Sequence, residues 1–161
     1  MRIGILSILL SILNFGWALG QVEQVDSLKQ LLDTKFAVSN SPRDTLRVNI
    51  LVEAATLSLR VNPTASLAYS KEALRISIQR SYRAKLAKIY NNTGTVFRLK
   101  GDYEKAIEFH QKAFEFDQNR NDRRGMALSL NNIGNIHYSK GELDQAISFY
   151  TRSLSIRQDI D

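Results

Sequence analysis

The sequence predicts an all-α protein, a right-handed α–α superhelix of stacked antiparallel helix pairs. Three observations support this fold class. One pattern of small, polar and apolar residues recurs along the chain at an offset of 40 positions. Apolar residues within each copy follow helical rather than alternating spacing, and a Lys-Gly-acidic turn divides each copy into two helices. A chain that repeats with this period buries a continuous core by stacking each unit on the next.

The two clearest copies begin at Asn91 and Asn131, where the chain reads NNTGTVFRLKGDYEKAI and NNIGNIHYSKGELDQAI. A weaker copy lies 40 positions before the first, with Val61-Asn62-Pro63 in place of the glycine turn. Proline suits the first position of a helix, because the amide hydrogen that it lacks would have no partner there. We therefore predict three units, at residues 43–82, 83–122 and 123–161.

The residues before these units carry a different pattern. The opening stretch MRIGILSILLSILNFGWALGQ has a positive start, an apolar run and small residues before Gln21. This layout is typical of an export signal, so we predict a signal peptide at 1–20 and an exported protein, either periplasmic or secreted. An uncleaved membrane anchor in the same segment is the alternative, and no apolar run after it is long enough to span a bilayer. Residues 21–42 are predicted to form an N-terminal helix, which covers the edge of the first unit, and a linker.

Several of the repeated residues are small, and we assign them structural roles. Gly94 and Gly134 fall in mid-helix, where glycine costs about 1 kcal/mol relative to alanine. This cost predicts close helix packing, to which Ala106 and Ala146 contribute on the second helices, as a seam between each unit and its neighbour. Two further glycines end the first helices, where a left-handed residue is often needed. These are Gly101 and Gly141.

The repeated letters combine as N-x-G-x-x-x-x-x-x-G-[DE]-[YL]-x-x-A-[IL]-x-[FY]. This pattern resembles the tetratricopeptide repeat, and the resemblance covers roughly residues 43–161. The unit is longer than the usual length of about 34 residues, and no proline follows the second helix. Units of this longer type, preceded by an export signal, are similar to the N-terminal sensor regions of bacterial histidine kinases that contain these repeats.

The resemblance implies a concave groove, lined by the first helices, in which a peptide or protein partner lies. Asparagine amides can both donate to and accept from a peptide backbone, and Lys88 and Arg98 suit an acidic partner. The alternative is that these side chains are solvated surface. The groove residues predicted in the second and third units are Lys88, Asn91, Thr95, Arg98, Leu128, Asn131, Asn135 and Tyr138. The matching residues of the first unit predict an apolar end of the groove; they are Val48, Leu51, Ala55 and Ser58.

Composition and motifs exclude other function classes. The chain has no cysteine, so disulfides, thiolate catalysis and cysteine-ligated zinc are excluded. Its two histidines, His110 and His137, occupy packing positions of the repeat, so we expect no metal site and no cofactor. No nucleophile or phosphate-binding motif is present, and no catalytic residue is assigned. Nucleic-acid binding through the basic and aromatic residues around Tyr82 and Tyr90 is disfavoured, because both tyrosines have packing spacing.

We therefore predict a non-catalytic protein-interaction scaffold outside the cytoplasm. The alternative is an N-terminal fragment or relative of a bacterial two-component receptor that lacks its membrane and kinase parts. Asn92 and Asn132, the second residues of the asparagine pairs, are predicted to hydrogen-bond between neighbouring helices. The last unit has no polar closing helix, which predicts self-association through Phe149, Leu154 and Ile156.

Overall fold

A computed structural model describes residues 20–32 and 44–159. Most of the predicted export signal, at 1–19, and the predicted linker from residue 33 lie outside the described residues. None of the helices within 20–32 and 44–159 is long and apolar enough to cross a membrane. The helices are α1 (20–32), α2 (Asp44–Val61), α3 (Pro63–Gln79), α4 (Leu86–Leu99), α5 (Tyr103–Gln118), α6 (Arg123–Ser139) and α7 (Leu143–Gln158).

Six of these helices form three antiparallel pairs. Helix α2 packs on α3, α4 on α5, and α6 on α7, and each pair lies inside one of the predicted units. The second helix of a pair also packs on the first helix of the next pair, so α3 contacts α4 and α5 contacts α6. The predicted all-α fold, a superhelix of repeated helix pairs, is confirmed.

The stack has an inner and an outer side. The first helices of successive pairs touch, α2 against α4 and α4 against α6. Within the described residues, the second helices α3, α5 and α7 make no contact with one another. Neighbouring pairs are therefore closer on the side of their first helices, and the array curves around that side. We call the surface formed by the exposed and half-buried residues of α2, α4 and α6 the inner face.

The turns between the helices have the conformations that the sequence predicts. Pro63 is the first residue of α3, which Asn62 caps by accepting a hydrogen bond from the Ala65 amide. Gly101 and Gly141 have left-handed φ angles of 78° and 79°, a region that glycine enters without steric strain. These turns set the angle at which the second helix of each pair folds back on the first.

The hydrophobic core is best developed around the first pair. Tyr82 and Tyr90 pack against it while partly buried, so both tyrosines serve the core. Leu32, at the end of α1, contacts the same cluster, and α1 therefore lies against the first pair. The buried members of the cluster come from α2, α3 and α4; they are Val48, Leu51, Val52, Ala73, Ile76, Leu86 and Ile89.

One side of α7 carries exposed apolar side chains. Leu143, Ile147 and Leu154 are 55%, 62% and 55% exposed, and their spacing puts them on one side of the helix. The corresponding residues of α5, 40 positions earlier, are half-buried because α6 packs against that helix. Of the residues predicted to mediate self-association, Leu154 is exposed, whereas Phe149 and Ile156 are half-buried.

Candidate functional site

The predicted groove residues of α4 and α6 lie mostly on the inner face. Lys88 and Tyr138 are exposed, Tyr138 to 64%. The Lys88 Nζ lies 3.6 Å from the Glu53 carboxylate of α2, so this ion pair joins two neighbouring first helices. The other exposed or half-buried members are Thr95, Arg98, Leu128, Asn131 and Asn135.

Asn135 is oriented by the second helix of its own pair. The Tyr150 hydroxyl donates to Asn135 Oδ1 at 2.8 Å. The amide nitrogen of Asn135 has no hydrogen-bond partner within the described part of the chain, so it can donate to a peptide carbonyl. Thr95 differs, because its hydroxyl already donates to the Asn91 carbonyl at 3.0 Å. Asn135 is therefore the predicted groove residue whose polar group is both fixed and available.

Asn91 lies between helices, which corrects its predicted position in the open groove. It is 8% exposed. Its Oδ1 lies 2.8 Å from Nδ1 of His110 on α5, and its Nδ2 donates to Ser129 Oγ on α6 at 3.3 Å. These bonds use both ends of the amide and tie α4 to two other helices. A ligand could reach this amide only by breaking contacts that hold the pairs together.

The second asparagine of each pair links successive units, as predicted. Asn92 Nδ2 donates to Thr56 Oγ1 on α2 at 2.9 Å. Asn132 Nδ2 donates to Asn91 Oδ1 on α4 at 3.4 Å. Each of the two side chains reaches back to the first helix of the preceding pair. The predicted hydrogen bonds between neighbouring helices are confirmed.

The prediction of an apolar groove end in the first unit is wrong. All four matching residues of α2 are buried, none more than 3% exposed. Helical spacing identifies residues that share one side of α2, but it does not decide whether that side meets solvent or core. The predicted groove positions on α2 are therefore closed to a ligand, although Glu53 of the same helix is exposed on the inner face. The buried residues are Val48, Leu51, Ala55 and Ser58.

Gly94 and Gly134 do lie in close helix contacts, but these contacts are inside a pair. A Cβ atom on Gly94 would lie 2.8 Å from Nε2 of His110, and one on Gly134 would lie 2.6 Å from Cε1 of Tyr150. Both rings belong to the second helix of the same pair. The seam predicted between neighbouring units is thus a seam within each unit, because the ring that fills the space beside the glycine comes from its own pair. The buried alanines on the second helices are Ala106 and Ala146.

A stacked ring pair closes the turn end of the second and third pairs. Phe97 and Phe109 stack with ring centroids 5.5 Å apart, and His137 and Phe149 stack at 5.1 Å. The His137 Nδ1 also lies 2.6 Å from a Glu142 carboxylate oxygen. The packing role predicted for His137 is therefore confirmed, and His137 is the counterpart of Phe97.

His110 is fully buried, which confirms its predicted packing role. Its Nδ1–H donates to Asn91 Oδ1, and its Nε2 lies near Gly94 with no hydrogen-bond partner among the described residues. Burial, with a smaller contribution from the Arg98 charge, lowers the pKa of this imidazole to about 4. The ring is therefore neutral at physiological pH.

Asp117 is a second buried titratable group, which the sequence did not reveal. Its side chain is 3% exposed, and no residue in the described ranges hydrogen-bonds to its Oδ2. It lies against Gly125 of α6, whose lack of a side chain leaves room for the carboxyl group. Burial, and then the charge of Asp122, raises the pKa of Asp117 to about 6.

Among residues 20–32 and 44–159, no group of three His, Asp or Glu side chains is arranged to hold a metal ion.

Comparison with known proteins identifies the repeat. Residues 49–119 and 86–159 match the family model of the tetratricopeptide repeat. The crystal structure of BtubC (BKLC) from P. vanneervenii is similar, with a TM-score of 0.71 and 25% identity over 82% of this chain and 54% of BtubC. The TPR domain of Arabidopsis FLU has a TM-score of 0.65 and 18% identity over 73% of this chain and 99% of that domain. This chain thus spans about half the length of BtubC. A comparison with curated protein sequences finds no match to this chain.

Proposed function

Because this chain belongs to the tetratricopeptide repeat family, we propose that it is a non-catalytic scaffold that binds a peptide or protein partner on its inner face. Solenoids of stacked helix pairs present extended concave surfaces, and proteins of this kind use those surfaces for binding. The proposal includes an exported location, which rests on the signal pattern of residues 1–20 and is checked by cell fractionation. The receptor-related alternative would use the same surface, since the helices available for binding are the same.

The observation that supports inner-face binding is the polar and cationic lining of α4 and α6. Lys88 and Arg98 lie ten residues apart on α4, which is about 15 Å along a helix. An extended peptide of about five residues covers this distance. Asn135 offers a fixed amide donor and Tyr138 an exposed ring on the neighbouring helix. An acidic, extended segment is therefore the partner chemistry that fits these residues.

An acidic partner must compete with Glu53 for Lys88. Both side chains of this ion pair are about half exposed, and the distance between them is 3.6 Å. Exposed pairs of this kind contribute about 0–1 kcal/mol, so exchange of Glu53 for a partner carboxylate costs little. Arg98 has no carboxylate within 4 Å among the described residues, and its guanidinium group needs no such exchange.

We expect the full chain to bind a short fluorescein-labelled peptide of alternating glutamate and alanine, measured by anisotropy. The double variant Lys88→Ala, Arg98→Ala should bind it about five- to tenfold more weakly, because two exposed charge interactions are lost. A peptide of alternating glutamine and alanine, which has the same length without the charge, should bind weakly to both proteins.

The matched control is Lys71→Ala with Arg157→Ala. Both residues are exposed and lie on the outer helices α3 and α7, so this variant has the same net charge as the first. It should bind the acidic peptide as the parent does. Equal weakening in both double variants would mean that only net charge matters, and the inner face would have to be abandoned as the binding surface.

Self-association through the last helix is a separate part of the proposal. Leu143, Ile147 and Leu154 form an exposed apolar row on α7, and burial of such side chains favours association. Analytical ultracentrifugation of the full chain should detect dimers at high concentration, and Ile147→Glu with Leu154→Glu should remove them. A parent protein that stays monomeric throughout the concentration series contradicts this part alone.

A further inference from the structure

A surface cavity lies between two loops at the edge of the stack, away from the groove residues Arg98 and Tyr138. It has a volume of about 410 Å³ and is lined by Arg83 and Ala84, which precede α4, and by Phe116, Asn119 and Arg120 around the end of α5. Its volume is within the range of about 300–1,000 Å³ that is usual for small-molecule sites. The cavity is therefore large enough for a small polar group with part of the residue that carries it.

The backbone of the two inter-pair loops brings these side chains together. Ser81 and Asn121 stand 40 positions apart and have left-handed φ angles of 53° and 55°. Arg83 follows the first of these turns and Arg120 precedes the second. The two loops lie at successive unit boundaries, and each presents one arginine to the same cavity.

Both arginines are held by the aromatic ring of Phe116. The guanidinium carbon of Arg83 lies 5.8 Å from the ring centroid, and that of Arg120 lies 5.6 Å from it. Neither guanidinium group makes a hydrogen bond to another described residue, so its N–H donors are free. Contact with the ring therefore restricts where each arginine lies without using its hydrogen-bond donors.

The positive charge of these arginines is not balanced by an ion pair. Among the described residues, no carboxylate oxygen lies within 4 Å of either guanidinium group. Asp117 acts on Arg120 electrostatically from a longer distance. Some exposed arginines of the chain do have partners; Arg75 pairs with Glu72 and Arg123 pairs with Asp159. The cavity thus holds two adjacent positive charges that lack a direct counter-ion.

We infer that this cavity is an anion site for a phosphate monoester, bound between the Arg83 and Arg120 guanidinium groups beside Asn119. A phosphate monoester carries a charge of about −1.5 to −2 at neutral pH, which matches two guanidinium groups, whereas a carboxylate balances only one. Its oxygens accept several N–H donors at once, and arginine forks suit this geometry. The Asn119 amide adds a neutral donor, and Ala84 and Phe116 contact the carbon atoms that carry the ester.

The site is independent of the proposed groove. Arg98 lies at the opposite end of α4, about 18 Å along the helix from the residues next to the cavity. Failure of the groove experiment therefore leaves this inference unaffected, and failure here leaves the proposed scaffold function unaffected.

The test is an NMR titration of the full chain at pH 7.5, which follows the arginine Nε–Hε signals and the Asn119 side-chain amide. The probes are N-acetyl-O-phosphoserine amide, inorganic phosphate, acetate and N-acetylserine amide. The phosphoserine probe should shift the signals of Arg83, Asn119 and Arg120 with saturation in the millimolar range. N-acetylserine amide should shift none of them. Saturable binding of inorganic phosphate alongside the monoester is also expected, because both carry the two-charge group.

Two variants test the assignment. Arg83→Gln with Arg120→Gln should weaken binding of the phosphoserine probe by about tenfold or more, since the variant loses the charge-assisted hydrogen bonds of both guanidinium groups. Lys71→Gln with Arg157→Gln removes two positive charges elsewhere and should leave binding unchanged. Circular dichroism checks that both variants remain folded, as expected for exposed side chains.

Several results would overturn the inference. These are a lack of saturable shifts with the phosphoserine probe, binding of inorganic phosphate but not of the monoester, and equal affinity for acetate. Equal weakening in the two double variants would overturn it as well, because net charge alone would then account for the binding.

Discussion

Substitution of Gly134 by leucine is expected to lower the free energy of unfolding by about 3 kcal/mol or more. A Cβ atom at this position would lie 2.6 Å from the Tyr150 ring, a distance at which one of the two groups must move. Overpacking of a buried contact costs about 1–3 kcal/mol. Movement of Tyr150 would also break its hydrogen bond to Asn135 at 2.8 Å, which adds about 1 kcal/mol. Urea unfolding followed by circular dichroism measures the loss.

A second substitution tests whether the loss of stability comes from this contact or would follow any substitution in the third pair. Tyr150→Ala removes the ring and leaves space beside α6. The double variant Gly134→Leu, Tyr150→Ala should therefore be more stable than the sum of the two single losses indicates, by about 1 kcal/mol or more. Strict additivity, or a Gly134→Leu protein as stable as the parent, would show that the contact between α6 and α7 does not depend on this glycine.

Acidification is expected to destabilise the protein through His110. The imidazole has a pKa of about 4 in the folded protein, below its ordinary value of 6.5. Below pH 6.5 the unfolded chain binds a proton that the folded protein does not, so stability falls as the pH decreases from 6.5 to 4. The difference in pKa corresponds to about 3 kcal/mol over this window. The groups that surround the ring do not stabilise its protonated form. Asn91 already pairs with Nδ1, and Arg98 carries a positive charge.

Asp117 acts in the opposite direction over nearly the same pH window. Its pKa is about 6 in the folded protein, above the ordinary value of 3.8 for an aspartate. The folded protein therefore keeps this proton while the unfolded chain loses it, and stability falls as the pH rises from about 4 to 6. The two groups partly cancel, so the parent protein will show a shallower pH dependence than either group alone produces.

The two contributions can be separated in an Asp117→Asn background. We expect Asp117→Asn to lose about 2–3 kcal/mol between pH 7 and pH 4.5 relative to the double variant Asp117→Asn, His110→Phe. The loss of the Asn91 partner lowers the stability of the double variant at both pH values and does not affect this difference. Parallel pH profiles of the two proteins would mean that His110 protonates freely in the folded state.

Much of the architecture follows from the sequence because it depends on spacing and on a few residues with special geometry. The offset of 40 positions predicts the three pairs, Gly101 and Gly141 predict the turns, and Pro63 predicts the start of α3. Each of these features is local, so it requires no knowledge of which helices meet. The same holds for Asn92 and Asn132, whose recurrence in consecutive units indicates a bond that every unit boundary repeats.

The site was less predictable because it depends on the rotation of each helix. Asn91 and Asn131 occupy equivalent positions, yet Asn91 is buried by its bonds to α5 and α6, while Asn131 is half-buried. The α2 residues at groove positions are buried because that side of α2 faces the core. The cavity between Arg83 and Arg120 is harder still to predict. Its residues come from two loops that no motif connects, and only the fold brings them to one ring.

The bonds between successive first helices have a consequence for the elasticity of the array. A hydrogen bond weakens steeply as its length and angle depart from the ideal. The first junction is joined by a bond of 2.9 Å between Asn92 and Thr56. The second is joined by the longer bonds of Asn91 to Ser129 at 3.3 Å and of Asn132 to Asn91 at 3.4 Å. Under a stretching or bending load, a change in curvature must therefore lengthen these bonds, and the bonds resist separation of the first helices at both junctions.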